Sequence, residues 1–214
     1  MSIHCIGDSH SSVFSGEEVM QPCWPDPASN KLPPFKSYRI GPATAYQLAN
    51  KQPLIESLID SLDLSVDDKL MFCFGEVDIR AHLIKQSKVQ EKPVNDLIVE
   101  CVDRYINAIS YYKKYGVKII VWGPIASWCD EKQYLGPSFG TNKERNWVTF
   151  AFNIALQLAC LREGFEFVTI FYDMVTDDME TFPDFLDDWE DCHIHLSQRA
   201  MPVILKAFEK GGLI

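Results

Sequence analysis

The sequence predicts an α/β fold built on a parallel sheet, and two observations carry that prediction. Short apolar runs recur along the 214 residues at 2–6, 69–74, 117–122 and 165–171, each bounded by glycine or charged residues. Between them lie stretches with apolar residues three and four apart, the spacing of a buried helix face. Strands that alternate with helices form right-handed β-α-β units and a parallel sheet covered on both faces. A strand in such a sheet is buried on both sides, so it reads as a continuous apolar run. The chain is long enough for one sizeable core, and a single domain over residues 1–214 is expected.

The first run, Ser2 to Ile6, ends at Gly7, Asp8, Ser9 and His10. Residues 11–37 have no sustained periodicity and hold Pro22, Pro25, Pro27, Pro33 and Pro34, so they read as a long stiffened excursion. Gly41 and Pro42 suggest a helix start, with proline in the first turn, running to about Ala49. A second helical stretch covers Pro53 to Leu62. The apolar run Lys69 to Phe74 stops at Gly75, Glu76, Val77, Asp78, Ile79, Arg80, Ala81 and His82. Ile98, Val102, Tyr105, Ile106, Ile109 and Tyr112 mark one face of a helix from Leu97 to Tyr115. Val117 to Trp122 is a third strand ending at Gly123-Pro124. Lys143 to Arg162 is helical, with Thr141 or Asn142 as its cap. Phe165 to Phe171 is the fourth strand. An acidic, aromatic stretch then leads to Asp191-Cys192-His193-Ile194-His195-Leu196-Ser197, and Ser197 can cap a last helix to about Lys210.

The composition sets bounds on function. A net charge of −10 repels phosphate backbones and anionic lipid surfaces, so nucleic acid is not an expected partner. No apolar run approaches the roughly 20 residues that cross a bilayer. The start reads as a core strand and not as a secretory leader. The seven cysteines are odd in number, lack a Cys-x-x-Cys pair and fall mostly in apolar segments. They are expected to be reduced thiols in a cytoplasmic protein, with neither a disulfide framework nor a zinc site.

In a parallel sheet all strand ends of one polarity share an edge, and ligands bind there. Ser9, the Gly75-to-Asp78 segment and the His193/His195 loop each follow a strand, so all are expected at that edge. Ser9 can attack a carbonyl if a histidine takes its proton and backbone amides surround the oxyanion. Each piece also has an ordinary reading. Gly-Asp-Ser suits a turn, and a Gly-Pro step suits a strand-to-helix connection. His-x-His can ligate metal, but no further ligand cluster accompanies it, and no metal is expected.

Taken in order, Gly7-Asp8-Ser9, Gly41, Gly75-x-x-Asp78 and an Asp-His pair before the last helix resemble the SGNH/GDSL hydrolases. The resemblance spans nearly the whole chain. It implies a flavodoxin-like three-layer α/β/α sandwich with a central parallel sheet of about five strands, and no cofactor. Carried over by position, it makes Ser9 the nucleophile and one oxyanion amide, and Gly41 the second oxyanion amide. Two departures stand out. The family's third block has an oxyanion asparagine where this chain has Val77, which cannot donate. Arg80 or His82 can supply the missing charge if that loop turns inward; a salt-bridged Arg80 and a structural His82 are the other reading. The family's Asp-x-x-His spacing is also absent, since Cys192 stands three residues before His195. His195 is the favoured base with Asp191 as orienting acid, and His193 with Glu190 is the second choice. Asp8, His10, Glu76 and Asp78 are further candidates, with His10 shaping the entrance. An acid beside His195 is expected to raise its pKa to at least 6.5.

The function expected from this is a serine esterase cleaving a small acyl group from a carbohydrate or other polar carrier. Trp24, Trp128 and Tyr134 are candidates to stack on a sugar. The alternatives are an O-acyltransferase using the same site, or a degenerate protein that binds a glycan or partner without turnover. The natural substrate and the oligomeric state are not legible.

Overall fold

The computed structural model describes every residue except 129–136 and 188–193. Its centre is a five-stranded, all-parallel sheet in the order β2-β1-β3-β4-β5. The strands are β1 (Ile3–Gly7), β2 (Phe35–Arg39), β3 (Lys69–Cys73), β4 (Lys118–Trp122) and β5 (Glu166–Val168). This is the flavodoxin-like order, in which the chain changes direction between β1 and β3 and opens a crevice at their carboxyl ends.

Side chains alternate across the sheet and feed two cores. Ile6, Leu70, Phe72, Ile119 and Val121 face one layer, formed by α1 (Gln52–Asp60), α4 (Val94–Ser110) and α5 (Asn142–Glu163). Ile3, Cys5, Met71, Ile120 and Trp122 face the other, where the 3-10 turn Ser9–Ser15, Phe171, Met174 and α6 (Met201–Lys210) cover them. Thr141 caps α5 with a full capping box shared with Glu144. Ser197 caps the last helical segment by accepting from Arg199 N.

Three expectations change. β2 lies inside the stretch read as an irregular excursion. It is an edge strand that follows Pro33 and Pro34 and carries the polar pattern Phe-Lys-Ser-Tyr-Arg. Proline and charge at an edge are ordinary devices against strand pairing with other chains, and they hide the strand from a hydrophobic pattern. The helix expected from Pro42 to Ala49 is a loop followed by a short 3-10 turn, Leu48–Lys51. The Glu76-to-His82 segment, read as a loop, is helical and continues to Gln90: α2 (Glu76–Asp78), a π-helical turn Ile79–Leu83, and α3 (Ile84–Gln90).

Cys5, Cys23, Cys73, Cys101 and Cys160 are free thiols; Cys129 and Cys192 lie outside the described residues. Alkylation of the unfolded protein without reductant is expected to modify all seven cysteines. Protection of two or more, read by intact mass, contradicts a fully reduced chain. No helix among the described residues is long and apolar enough to cross a membrane.

Candidate active site

The sheet register puts the key residues in one row. Arg39, Gly7, Cys73 and Trp122 are successive partners across β2, β1, β3 and β4. Gly41, Ser9, Gly75 and Pro124 each stand two residues beyond that row, at the carboxyl edge. Two of these turns demand glycine. A Cβ on Gly7 would sit 2.7 Å from the Cys73 carbonyl oxygen and 2.9 Å from Ser11 Cβ, so β1 can turn into the Ser9–Ser15 segment only without a side chain there. Gly41 has φ of 85°, in the left-handed region.

Ser9 is half-buried at the first position of the 3-10 turn. Asp8 caps that turn, its Oδ1 accepting from His10 N at 2.9 Å. Asp8 is buried, and burial pushes its carboxyl up to about 6. Ser9, His10, Ser12, Val13 and His195 line one shallow recess of about 10 Å³, room for one water-sized group.

A buried charged chain runs behind this recess. The Glu76 carboxylate accepts from Arg80 Nε at 2.6 Å and Arg80 Nη2 at 3.2 Å, and its Oε2 lies 3.0 Å from His10 Nε2. Burial works against the Glu76 anion, but Arg80 and His10 outweigh it and hold the carboxyl well below the usual range. Burial likewise opposes a charged His10, yet Glu76 and then Asp8 raise its pKa above 6.5. The His10 and His195 rings are 4.9 Å apart between centroids.

Arg80 also donates to the Pro137 carbonyl at 3.0 Å, so its guanidinium is engaged with Glu76 and the backbone. Removing Glu76 takes away the carboxylate that balances this buried guanidinium, and breaking a buried pair costs roughly 3–5 kcal/mol. Glu76→Gln is therefore expected to lower the unfolding midpoint strongly in urea. A loss no larger than that of an exposed pair such as Lys92–Glu100 contradicts a structural role for this pair.

His195 is 6% exposed, and its Nδ1 lies 3.4 Å from Asp187 Oδ2. The reason is an antiparallel bridge between Leu186 and Leu196, in which Asp187 N donates to the His195 carbonyl at 2.9 Å and His195 N donates to Asp187 Oδ1 at 3.3 Å. The sequence gives no sign of this contact, because eight residues separate the two and the pairing across a bridge leaves no fixed spacing. Asp191, His193 and Glu190 lie outside the described residues. The expected rise in the His195 pKa is reversed. Burial is the largest influence and lowers it, Asp187 raises it, and the neighbouring His10 lowers it again, leaving it below 6.5.

Asp78 does not reach the recess. Its Oδ2 accepts from Ala45 N at 2.7 Å and its Oδ1 from Tyr46 N at 3.1 Å. It therefore clamps the loop that begins at Gly41, and these bonds replace the helix expected there. His82 is exposed and lines a different cavity. Trp24 packs against one core and Trp128 against the other; Tyr134 lies outside the described residues. Among the described residues no group of three His, Cys, Asp or Glu side chains is placed to hold a metal ion.

No protein-family model and no curated protein matches the sequence. Solved structures do match its fold. A GDSL-like lipase from Bacteroides thetaiotaomicron is 13% identical with a TM-score of 0.57, covering 98% of this chain and 86% of its own. The lipase/acylhydrolase from Enterococcus faecalis is 14% identical with a TM-score of 0.54, covering 99% and 96%. A member of the lipolytic G-D-S-L family from Veillonella parvula is 12% identical with a TM-score of 0.54, covering 98% and 97%. The chain thus has the α/β fold of the GDSL lipases and acylhydrolases over nearly its full length.

Proposed function

We propose that this protein is a serine ester hydrolase that removes a small acyl group from a polar carrier such as a carbohydrate. The observation that carries the reading is the meeting of Ser9 and His195 in one recess, with Asp187 at the far side of the imidazole. In this reading Ser9 Oγ attacks the ester carbonyl and His195 Nε2 takes its proton. Asp187 stabilises the imidazolium through Nδ1. The amides of Ser9 and Gly41, level with each other at the sheet edge, receive the oxyanion. His195 then returns the proton to the leaving alcohol, and water clears the acyl-enzyme by the same route. The likeness to lipase and acylhydrolase structures supports the hydrolase class.

A protein that binds without turnover is the second reading. Val77 in place of the expected asparagine favours it, together with Arg80 engaged by Glu76 and His82 turned elsewhere. Hydrolysis of p-nitrophenyl acetate by wild type beside Ser9→Ala separates the two. Turnover that depends on Ser9 supports the hydrolase, and none above the Ser9→Ala background supports binding alone.

A further inference from the structure

A cavity of about 330 Å³ lies against the loop that follows Gly41, and it shares no lining residue with Ser9's recess. Small-molecule sites run from roughly 300 to 1,000 Å³. Three stretches of chain wall it: Thr44, Tyr46 and Gln47 from the loop; Asp78, His82, Leu83, Gln86 and Gln90 from the run of α2, the π turn and α3; and Leu97, Glu100 and Cys101 from α4.

Its chemistry is selective. No lysine or arginine lines it, and the cations behind its wall are engaged, Lys92 with Glu100 and Arg104 with the Tyr46 carbonyl and ring. Partial burial of its ring, then Lys85 and Arg80, lower the His82 pKa, which disfavours a positive charge on this otherwise exposed side chain. The two carboxylates are already served. Asp78 accepts from two backbone amides, and Glu100 takes the Tyr46 hydroxyl at 2.7 Å and the Lys92 ammonium at 3.3 Å. Burial also pushes Asp78 up to about 6. Glu100 is partly exposed, but Tyr46 and Lys92 already occupy it, so an organic cation would have to displace a cation in place.

What the cavity offers is interleaved neutral donors and acceptors. Gln90 Nε2 donates to Gln86 Oε1 at 3.0 Å, which leaves Gln86 Nε2 and Gln90 Oε1 side by side as donor and acceptor. Thr44 Oγ1 accepts from Gln47 N, leaving its O–H to donate. Leu83 and Leu97 supply an apolar wall. Adjacent hydroxyls, each donor and acceptor, on a carbon frame with apolar C–H faces match this set.

We infer that this cavity binds a neutral polyhydroxylated molecule, a sugar or polyol, at a site separate from Ser9. The site goes beyond the hydrolase reading, because binding there needs no chemistry at Ser9. Asp78 and Tyr46 belong both to its wall and to the clamp on the Gly41 loop, so an occupant touches the segment that carries the proposed oxyanion amide.

An NMR titration of 15N-labelled protein tests this, with methyl β-glucopyranoside and xylitol as probes and glucose 6-phosphate and choline as charged controls. Saturable shifts are expected for the neutral probes, centred on Thr44, Gln86, Gln90 and Leu97, and unchanged in Ser9→Ala. Gln86→Trp, which plugs the mouth from a half-exposed position, is expected to abolish them. Gln90→Leu is expected to weaken them about tenfold, the loss of roughly one hydrogen bond. The spectra of both variants report whether they remain folded. The inference is overturned if neither neutral probe shifts these residues, if a charged control binds more tightly, or if folded Gln86→Trp binds as wild type does. None of these results bears on Ser9-dependent ester hydrolysis, so the two readings fail separately.

Discussion

Ser9→Ala is expected to lose turnover of p-nitrophenyl acetate by a factor on the order of 10,000 or more, the scale seen when a nucleophile acting as part of a unit is removed. Labelling by a fluorophosphonate probe is expected to vanish with it. Stability is expected to stay within about 0.5 kcal/mol of wild type, as for substitutions away from core packing. The reasons are local. Ser9 is half-buried, and its hydroxyl has no hydrogen-bond partner among the described residues. The neighbouring serines differ. Ser11 Oγ donates to the Asp8 carbonyl at 2.9 Å, and Ser12 Oγ accepts from Gln21 N at 3.1 Å, so both hold the turn together. Alanine at position 9 keeps the backbone amide that the oxyanion would use, so a small residual rate above water is expected. If the Ser9→Ala protein is still labelled at wild-type level, the nucleophile is another residue.

The parts of this fold that were legible are those buried on both sides. β1, β3 and β4 are central strands whose residues are almost all buried, so their apolar runs stand out without any partner in view. The edge behaves otherwise. In β2 only Phe35 and Ser37 are buried, and its place comes from pairing with β1 and not from its own pattern. The Gly41 loop failed for a different reason. Local signals favour a helix after Gly41-Pro42, but Asp78, distant in sequence, captures the Ala45 and Tyr46 amides and fixes a loop. The same long-range logic shaped the site. Gly-Asp-Ser at a strand end pointed to Ser9 from sequence alone. The Glu76–Arg80 pair is an i, i+4 pair that becomes visible once the segment is known to be helical. His10 bridging Glu76 and His195, and Asp187 facing His195 across a bridge, depend on contacts between segments far apart in the chain.

His195→Ala is expected to lose a factor on the order of 100 to 10,000 in turnover, the usual contribution of a general base. His193→Ala is expected to lose much less. Asp187→Asn is expected to fall between His195→Ala and wild type, while Asp191→Asn stays close to wild type. The pH profile carries the sharper test. The base must be neutral, so the rate rises with pH as His195 loses its proton, and its lowered pKa places that limb below 6.5. Asp187 raises the His195 pKa, so Asp187→Asn should move the limb to still lower pH even as the rate falls. The charged His10 lowers it, so His10→Gln should move the limb upward. Two opposite shifts from two neighbours of one ring are not produced by a general loss of structure. A limb at or above 6.5 in wild type, or a dead His193→Ala beside an active His195→Ala, sinks this assignment of the base. A dead Asp191→Asn beside an active Asp187→Asn keeps His195 as base and moves the orienting carboxylate to Asp191.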